Sequence, residues 1–76
     1  MNLKQMEYFV AAAEQLNFTR AAKKCFISQT AMTLQIQSLE EKIGVPLFVR
    51  DKHHVELTAA GKVYLNEARA ILVRAE

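Results

Sequence analysis

Residues 28–44 read Ser28-Gln29-Thr30-Ala31-Met32-Thr33-Leu34-Gln35-Ile36-Gln37-Ser38-Leu39-Glu40-Glu41-Lys42-Ile43-Gly44. Met32, Ile36, Leu39 and Ile43 recur at helical spacing, which predicts an amphipathic helix with one buried stripe. Ser28 suits the N-cap, because its hydroxyl accepts from the free amides of the first turn. Gly44 suits the stop, because glycine tolerates the left-handed backbone that closes helices. Outside the stripe stand Gln29, Thr30, Thr33, Gln35 and Gln37, with no charge before Glu40. Amides and hydroxyls both donate and accept hydrogen bonds. Such a surface suits the reading of base edges in a major groove, and it suits an ordinary wet helix face equally well. The segment that precedes it separates the two.

Upstream, Thr19 is the expected N-cap of a short helix, Arg20-Ala21-Ala22-Lys23-Lys24-Cys25. Phe18 stands just before that cap, where an apolar side chain can staple the entry turn. Ala21 and Ala22 are small and admit a neighbouring helix closely. Only Phe26 and Ile27 then precede Ser28. A short helix, a tight turn and a longer helix form the helix-turn-helix outline, whose second helix lies in the major groove. The turn lacks the glycine often found there. Nearer the start, Leu3, Met6, Phe9, Val10 and Ala13 mark a first helix from Leu3 to about Gln15, capped by Asn2 and closed near Leu16-Asn17.

Downstream, Pro46 ends the long helix. Leu47-Phe48-Val49-Arg50 reads as a short strand, Asp51-Lys52-His53-His54 as a turn, and Val55-Glu56-Leu57-Thr58 as a second strand. A lone hairpin is unstable in water, so Leu47, Val55 and Leu57 should rest on the helices. Thr58 then caps a fourth helix. Gly61 in its first turn costs about 1 kcal/mol against alanine, which suggests a close approach of backbone to backbone or to phosphate. The expected fold is mainly α: a winged helix-turn-helix with a three-helix core, a two-stranded wing and a C-terminal linker helix. Residues 1–58 form the expected DNA-binding domain, with recognition helix 28–43 and wing 50–55, and residues 59–76 begin the linker helix. The periodic pattern there meets no stop signal, so a longer protein is expected.

The 76 residues make one small domain, and the 51% apolar share is enough for a compact core. Ten Lys or Arg against eight acidic residues leave a net charge of +2, which argues only weakly for a nucleic-acid partner. The single cysteine excludes an internal disulfide and fits a reducing compartment. No apolar run approaches the roughly twenty residues of a membrane span, and no signal-peptide pattern opens the chain. A cytoplasmic location is expected, without a membrane partner.

Each candidate residue has a plain reading beside its functional one. Gln29, Thr30 and Thr33 form the base-facing set, or a polar helix face with a cap. Arg20, Lys23, Lys24, Arg50, Lys52 and Lys62 form the phosphate set, or ordinary surface charge. Ser28 and the amides beside it can hold a phosphate or merely start the helix. His53 and His54 at the wing tip suit a phosphate or minor-groove contact, or a solvated turn; a metal site would need further ligands, and none is expected. Cys25 reads as a buried small hydrophobe. Glu40 and Glu41 read as solvated charge near a helix end. No nucleophile-and-base pair or phosphate-binding loop is present, so the chain is not expected to be an enzyme. Val63, Tyr64, Ala68, Ile71, Leu72 and Ala75 give the fourth helix a broad apolar face. Ala68, Ile71, Leu72 and Ala75 are expected beyond the reach of so small a core and free to pair with a second copy. The plain alternative packs that face on the first helix of the same chain.

Four strings taken together resemble the N-terminal domain of the LysR-type transcriptional regulators. They are Leu3-Lys4-Gln5-Met6-Glu7-Tyr8-Phe9; Phe18-Thr19-Arg20-Ala21-Ala22 with Ile27-Ser28-Gln29; Leu39-Glu40-Glu41-Lys42-Ile43-Gly44-Val45-Pro46-Leu47-Phe48; and Leu57-Thr58-Ala59-Ala60-Gly61. The resemblance implies a homodimer held by linker helices, possible tetramers at full length, binding to double-stranded promoter DNA, and a small co-inducer bound by a further domain. No cofactor is implied for the present residues. It places Gln29, Thr30 and Thr33 on base-reading positions; Leu34 is counted with them as an apolar group near the groove that touches a thymine methyl or sits idle. It places Arg50, Lys52 and His53 near the DNA backbone or minor groove, and Ser28 and Gln35 are expected among the backbone contacts as well. The sequence departs from the family pattern at Thr30, where proline is usual, at Thr33, where serine is usual, and at Leu34, where arginine is common. Ala59 and the His53-His54 pair also depart from it. The rival reading is a winged-helix module that binds another protein and reads no DNA.

Overall fold

The computed structural model describes residues 2–75. The chain order is α1 (Leu3–Gln15), α2 (Phe18–Lys24), α3 (Gln29–Ile43), β1 (Phe48–Arg50), β2 (Val55–Leu57) and α4 (Ala59–Ala75). This is the expected winged helix-turn-helix: three helices, a two-stranded antiparallel hairpin and a C-terminal helix. Glu76, the end of the expected last helix, lies outside the described residues.

The capping chemistry largely follows the sequence. The side chains of Asn2 and Ser28 accept from the amides of Gln5 and Ala31, at 2.7 and 3.0 Å. Gly44 closes α3 at φ 88°. Helix α2 is the exception. Its cap is Asn17, whose Oδ1 accepts from the Arg20 amide at 2.9 Å, so the helix starts earlier than a Thr19 cap would allow. Phe18 is therefore inside the helix rather than before it, and Thr19 is exposed. The tight turn before α3 places Phe26 in the left-handed region at φ 59°, with its side chain 94% exposed. A conformation that suits glycine is here imposed on a bulky residue, at a cost of order 1–2 kcal/mol.

Phe9, Met32, Ile36, Leu39 and Leu47 are fully buried and form the centre of the core. Ala21 and Ala22 are buried too, which lets α2 approach its neighbours. Phe18 and Phe48 meet edge to face at 5.2 Å, and Phe9 meets Phe48 at 5.4 Å and Tyr64 at 4.9 Å. These rings join α1, α2, the wing and α4. The strands pair Phe48 with Leu57, Val49 with Glu56 and Arg50 with Val55. Val55 and Leu57 lean on the core, as a hairpin without independent stability must.

Glu40 is not the solvated charge expected of it. Its Oε2 accepts from the amides of Leu47 and Phe48, at 2.6 and 3.2 Å, and so ties the end of α3 to the start of the wing. Thr58 closes the other side: its hydroxyl donates to the Pro46 carbonyl at 2.8 Å and accepts from the Gly61 amide at 3.0 Å. A Cβ on Gly61 would collide with the Leu47 carbonyl oxygen and stand 2.9 Å from Leu57 Cδ2. The close approach expected at Gly61 is therefore to backbone.

The expected reach of α4 needs correction. Ala68 is fully buried, Tyr64 packs on Phe9, and Leu72 rests on the same core, so these turn toward their own chain. Arg69 reinforces the seam with an ion pair to Glu14 at 3.0 Å. Val63, Ile71, Val73 and Ala75 stay exposed. A helix seventeen residues long makes several turns over a small core, and only one face can touch it. Among the described residues, no helix is long and apolar enough to cross a membrane.

Candidate nucleic-acid interface

An open groove of about 380 Å³ runs between α3 and the wing. Gln29 and Thr33 line it from the recognition helix, and Arg50, Asp51, Lys52, His53 and His54 from the hairpin. Leu16 and Asn17 from the turn between α1 and α2, Phe18 and Thr19 from the start of α2, and Val55 from the second strand complete the lining. Gln29 and Thr33 of the base-facing set thus share one concave surface with Arg50 and Lys52 of the phosphate set.

The helical wall is polar without being charged. Gln29, Thr30 and Leu34 are exposed and Thr33 is half-exposed, while Met32 and Ile36 take the buried side. A rotation of about 100° per residue sets Thr30, Leu34 and Gln37 on one outward ridge, beside the groove-facing Gln29 and Thr33. The N-terminus of α3 adds free amides and the positive end of the helix dipole.

The opposite wall is charged and internally braced. The Arg50 guanidinium lies 4.6 Å from the centroid of the Phe18 ring. A cation stacked in this way is held in place while its outer donors remain available. Asp51 organises the turn: its Oδ1 accepts from the His53 amide at 2.8 Å, and its own amide donates to the His54 carbonyl at 3.0 Å. His54 Nε2 sits 2.7 Å from Glu56 Oε2, and this hydrogen bond and charge raise the imidazole pKa above its ordinary 6.5. Lys52 and His53 are exposed at the tip.

Other expected contacts lie outside this groove. Arg20, Lys23 and Lys24 are exposed on α2, Ser28 is exposed at its cap position, and Lys62 is exposed near the start of α4. Gln35 is committed elsewhere: its side-chain and main-chain oxygens accept from Gln5 Nε2 at 3.2 and 3.3 Å. This link of α1 to α3 left no mark in hydrophobic spacing, because Gln5 is polar yet buried. Thr19 was missed as a groove residue for a simpler reason: reading it as the cap assigned its hydroxyl to the backbone. Cys25 is half-buried as the C-cap of α2, and burial, with Glu7 nearby, raises its thiol pKa. That keeps the thiol protonated and unreactive.

Residues 3–62 match the sequence model of the bacterial regulatory helix-turn-helix proteins of the lysR family. The chain belongs to the LysR family. It is a DNA-binding regulatory domain. It is 55% identical over 76 residues to the Hca operon transcriptional activator HcaR of Escherichia coli strain K12, covering all of this chain and 26% of that protein. It is 53% identical over 72 residues to the transcriptional regulator TfdT of Cupriavidus pinatubonensis, covering 95% of this chain and 32% of that one. The LysR domain thus spans between a quarter and a third of these relatives. Its fold matches a CbnR DBD–DNA complex with a TM-score of 0.95 at 45% identity, covering 99% of this chain and 86% of that one. A BenM DBD complexed with benA site 1 DNA matches with a TM-score of 0.94 at 37% identity, covering 99% and 84%.

Proposed function

We propose that this LysR-family domain reads double-stranded promoter DNA with two surfaces that do different work. The first turns of α3 enter the major groove, where Gln29 pairs with a base edge and Thr30, Thr33 and Leu34 touch its neighbours. The wing lies along the adjacent backbone, with Arg50, Lys52 and His53 near phosphates or the minor groove. Arg20, Lys23, Ser28 and Lys62 add backbone contacts at the margins. Gln35 holds Gln5 through its oxygens and keeps its side-chain amide hydrogens for a phosphate. The observation that carries this reading is the shared groove: Gln29 and Thr33 open onto the same space as Arg50, Lys52 and His53.

Two copies pair through α4. The pairing surface is drawn from its exposed apolar residues, Val63, Ile71, Val73 and, beyond the end of the core, Ala75, since Tyr64, Ala68 and Leu72 are taken by the chain's own core. A two-fold dimer sets its reading helices one helical turn of DNA apart, or a multiple of that. The domain serves a longer cytoplasmic regulator that assembles as dimers or tetramers and binds a small co-inducer outside these residues. Its spanning only 26% of HcaR supports that view.

Selection of bound duplexes from a random pool tests the proposal. A two-fold symmetric sequence should emerge. Its affinity should fall as salt rises, with a log–log slope of about 0.9 per phosphate neutralised. Recovery of an unenriched pool would leave the protein-interaction reading in its place.

A further inference from the structure

Leu34 is an exposed leucine on a reading surface, and its surroundings say what it meets. It is 60% exposed. Thr30 and Gln37 flank it along the outward ridge of α3, and the groove-facing Thr33 precedes it. No lysine or arginine stands on α3 before Lys42, near the far end of the helix. Guanine offers two acceptors in the major groove, which a forked cation satisfies best. This helix brings no such group among its leading turns. What it brings is amides, hydroxyls and one bare aliphatic side chain. Among the four ordinary bases, only thymine presents an apolar group to the major groove, its C5-methyl.

We propose that Leu34 recognises the C5-methyl of a thymine, so that each half-site carries a T·A pair under the outward ridge of α3 and needs no arginine–guanine contact there. This rests on the DNA-reading function proposed above. The physical gain is mutual: a leucine left in water by the free protein and a methyl left in water by the free duplex are buried together. The neighbouring amides strengthen the bias, because glutamine pairs with adenine through two hydrogen bonds. The half-site beneath α3 is therefore rich in A·T pairs, with the thymine methyl as one of its determinants.

The decisive change is made on the DNA, where protein folding does not enter. Each thymine of the selected duplex is replaced in turn by deoxyuridine, which deletes only the methyl. One replacement per half-site should weaken binding about fourfold, the value of one buried methyl. The same replacement should cost nothing against Leu34→Ala, whose thermal unfolding should match the parent because the side chain is exposed. Specific binding indifferent to every deoxyuridine would overturn the thymine contact and leave DNA reading intact. A deoxyuridine penalty that persists in Leu34→Ala would overturn it equally, by assigning the methyl to another residue. A pool without any enriched sequence would sink both proposals.

Discussion

The two walls of the groove are built on opposite principles. The α3 wall is neutral, and the nearest charges on that helix are Glu40, Glu41 and Lys42 at its far end. The wing wall carries the charges of Arg50, Asp51 and Lys52, followed by the imidazoles of His53 and His54. Neutral donors and acceptors discriminate between bases, because a mismatched group leaves a hydrogen bond unmade. Charges grip phosphates of any sequence. A domain with a net charge of only +2 can therefore bind DNA if its few cations are placed together. On the function proposed above, the difference between the walls separates specificity from grip.

Cutting the link between the walls should have the largest effect. Glu40→Ala removes the acceptor of two wing amides, one of them on the fully buried Leu47. The expected loss is about 3 kcal/mol of stability, read by urea unfolding, since a buried donor is left without a partner. Binding to matched and scrambled duplexes should suffer alike. Retained stability would mean that the wing is held by its rings alone.

Parallel titrations on matched and scrambled duplexes divide the walls themselves. Gln29→Ala should lose about 1–3 kcal/mol on the matched site and little on the scrambled one. Lys52→Ala should weaken both by a common factor and reduce the salt slope by about 1. Equal losses on both duplexes for Gln29→Ala would remove its reading role.

The smallest effect concerns pH. The His54 pKa is raised in the folded chain by its hydrogen bond to Glu56 and by that carboxylate's charge. Its contribution is therefore full below the ordinary histidine value of 6.5 and is lost as pH rises through the higher folded value. The pair is exposed, so the change in stability is slight. An NMR titration should show the His54 midpoint falling toward its ordinary value in Glu56→Gln. An unmoved midpoint would disprove the pairing.

Much of this was legible in the residues. Periodicity located α1, α3 and α4, because a stripe of apolar side chains must find a core whatever the topology. Turn chemistry located the hairpin. Helix α2 was less clear, since Asn17 and Thr19 are both competent caps and only the hydrogen bond from the Arg20 amide to Asn17 Oδ1 shows which one serves. The faces of α4 were harder still. Its apolar positions nearly encircle the helix, and sequence spacing alone does not divide those that meet α1 from those left outside.

By itself, the sequence determined the order and kind of elements and the neutral character of the first turns of α3. Those follow from short-range rules in which each residue answers mainly to neighbours a few positions away. Tertiary structure alone decided that Gln29 and Thr33 share a groove with Lys52, that Glu40 holds the wing, that Gln5 occupies Gln35, and that Ala68 belongs to the core. Each of these depends on where distant segments come to rest when the rings of Phe9, Phe18, Phe48 and Tyr64 close on one another. Burial there is a property of the assembled core, so no local stretch of chain encodes it.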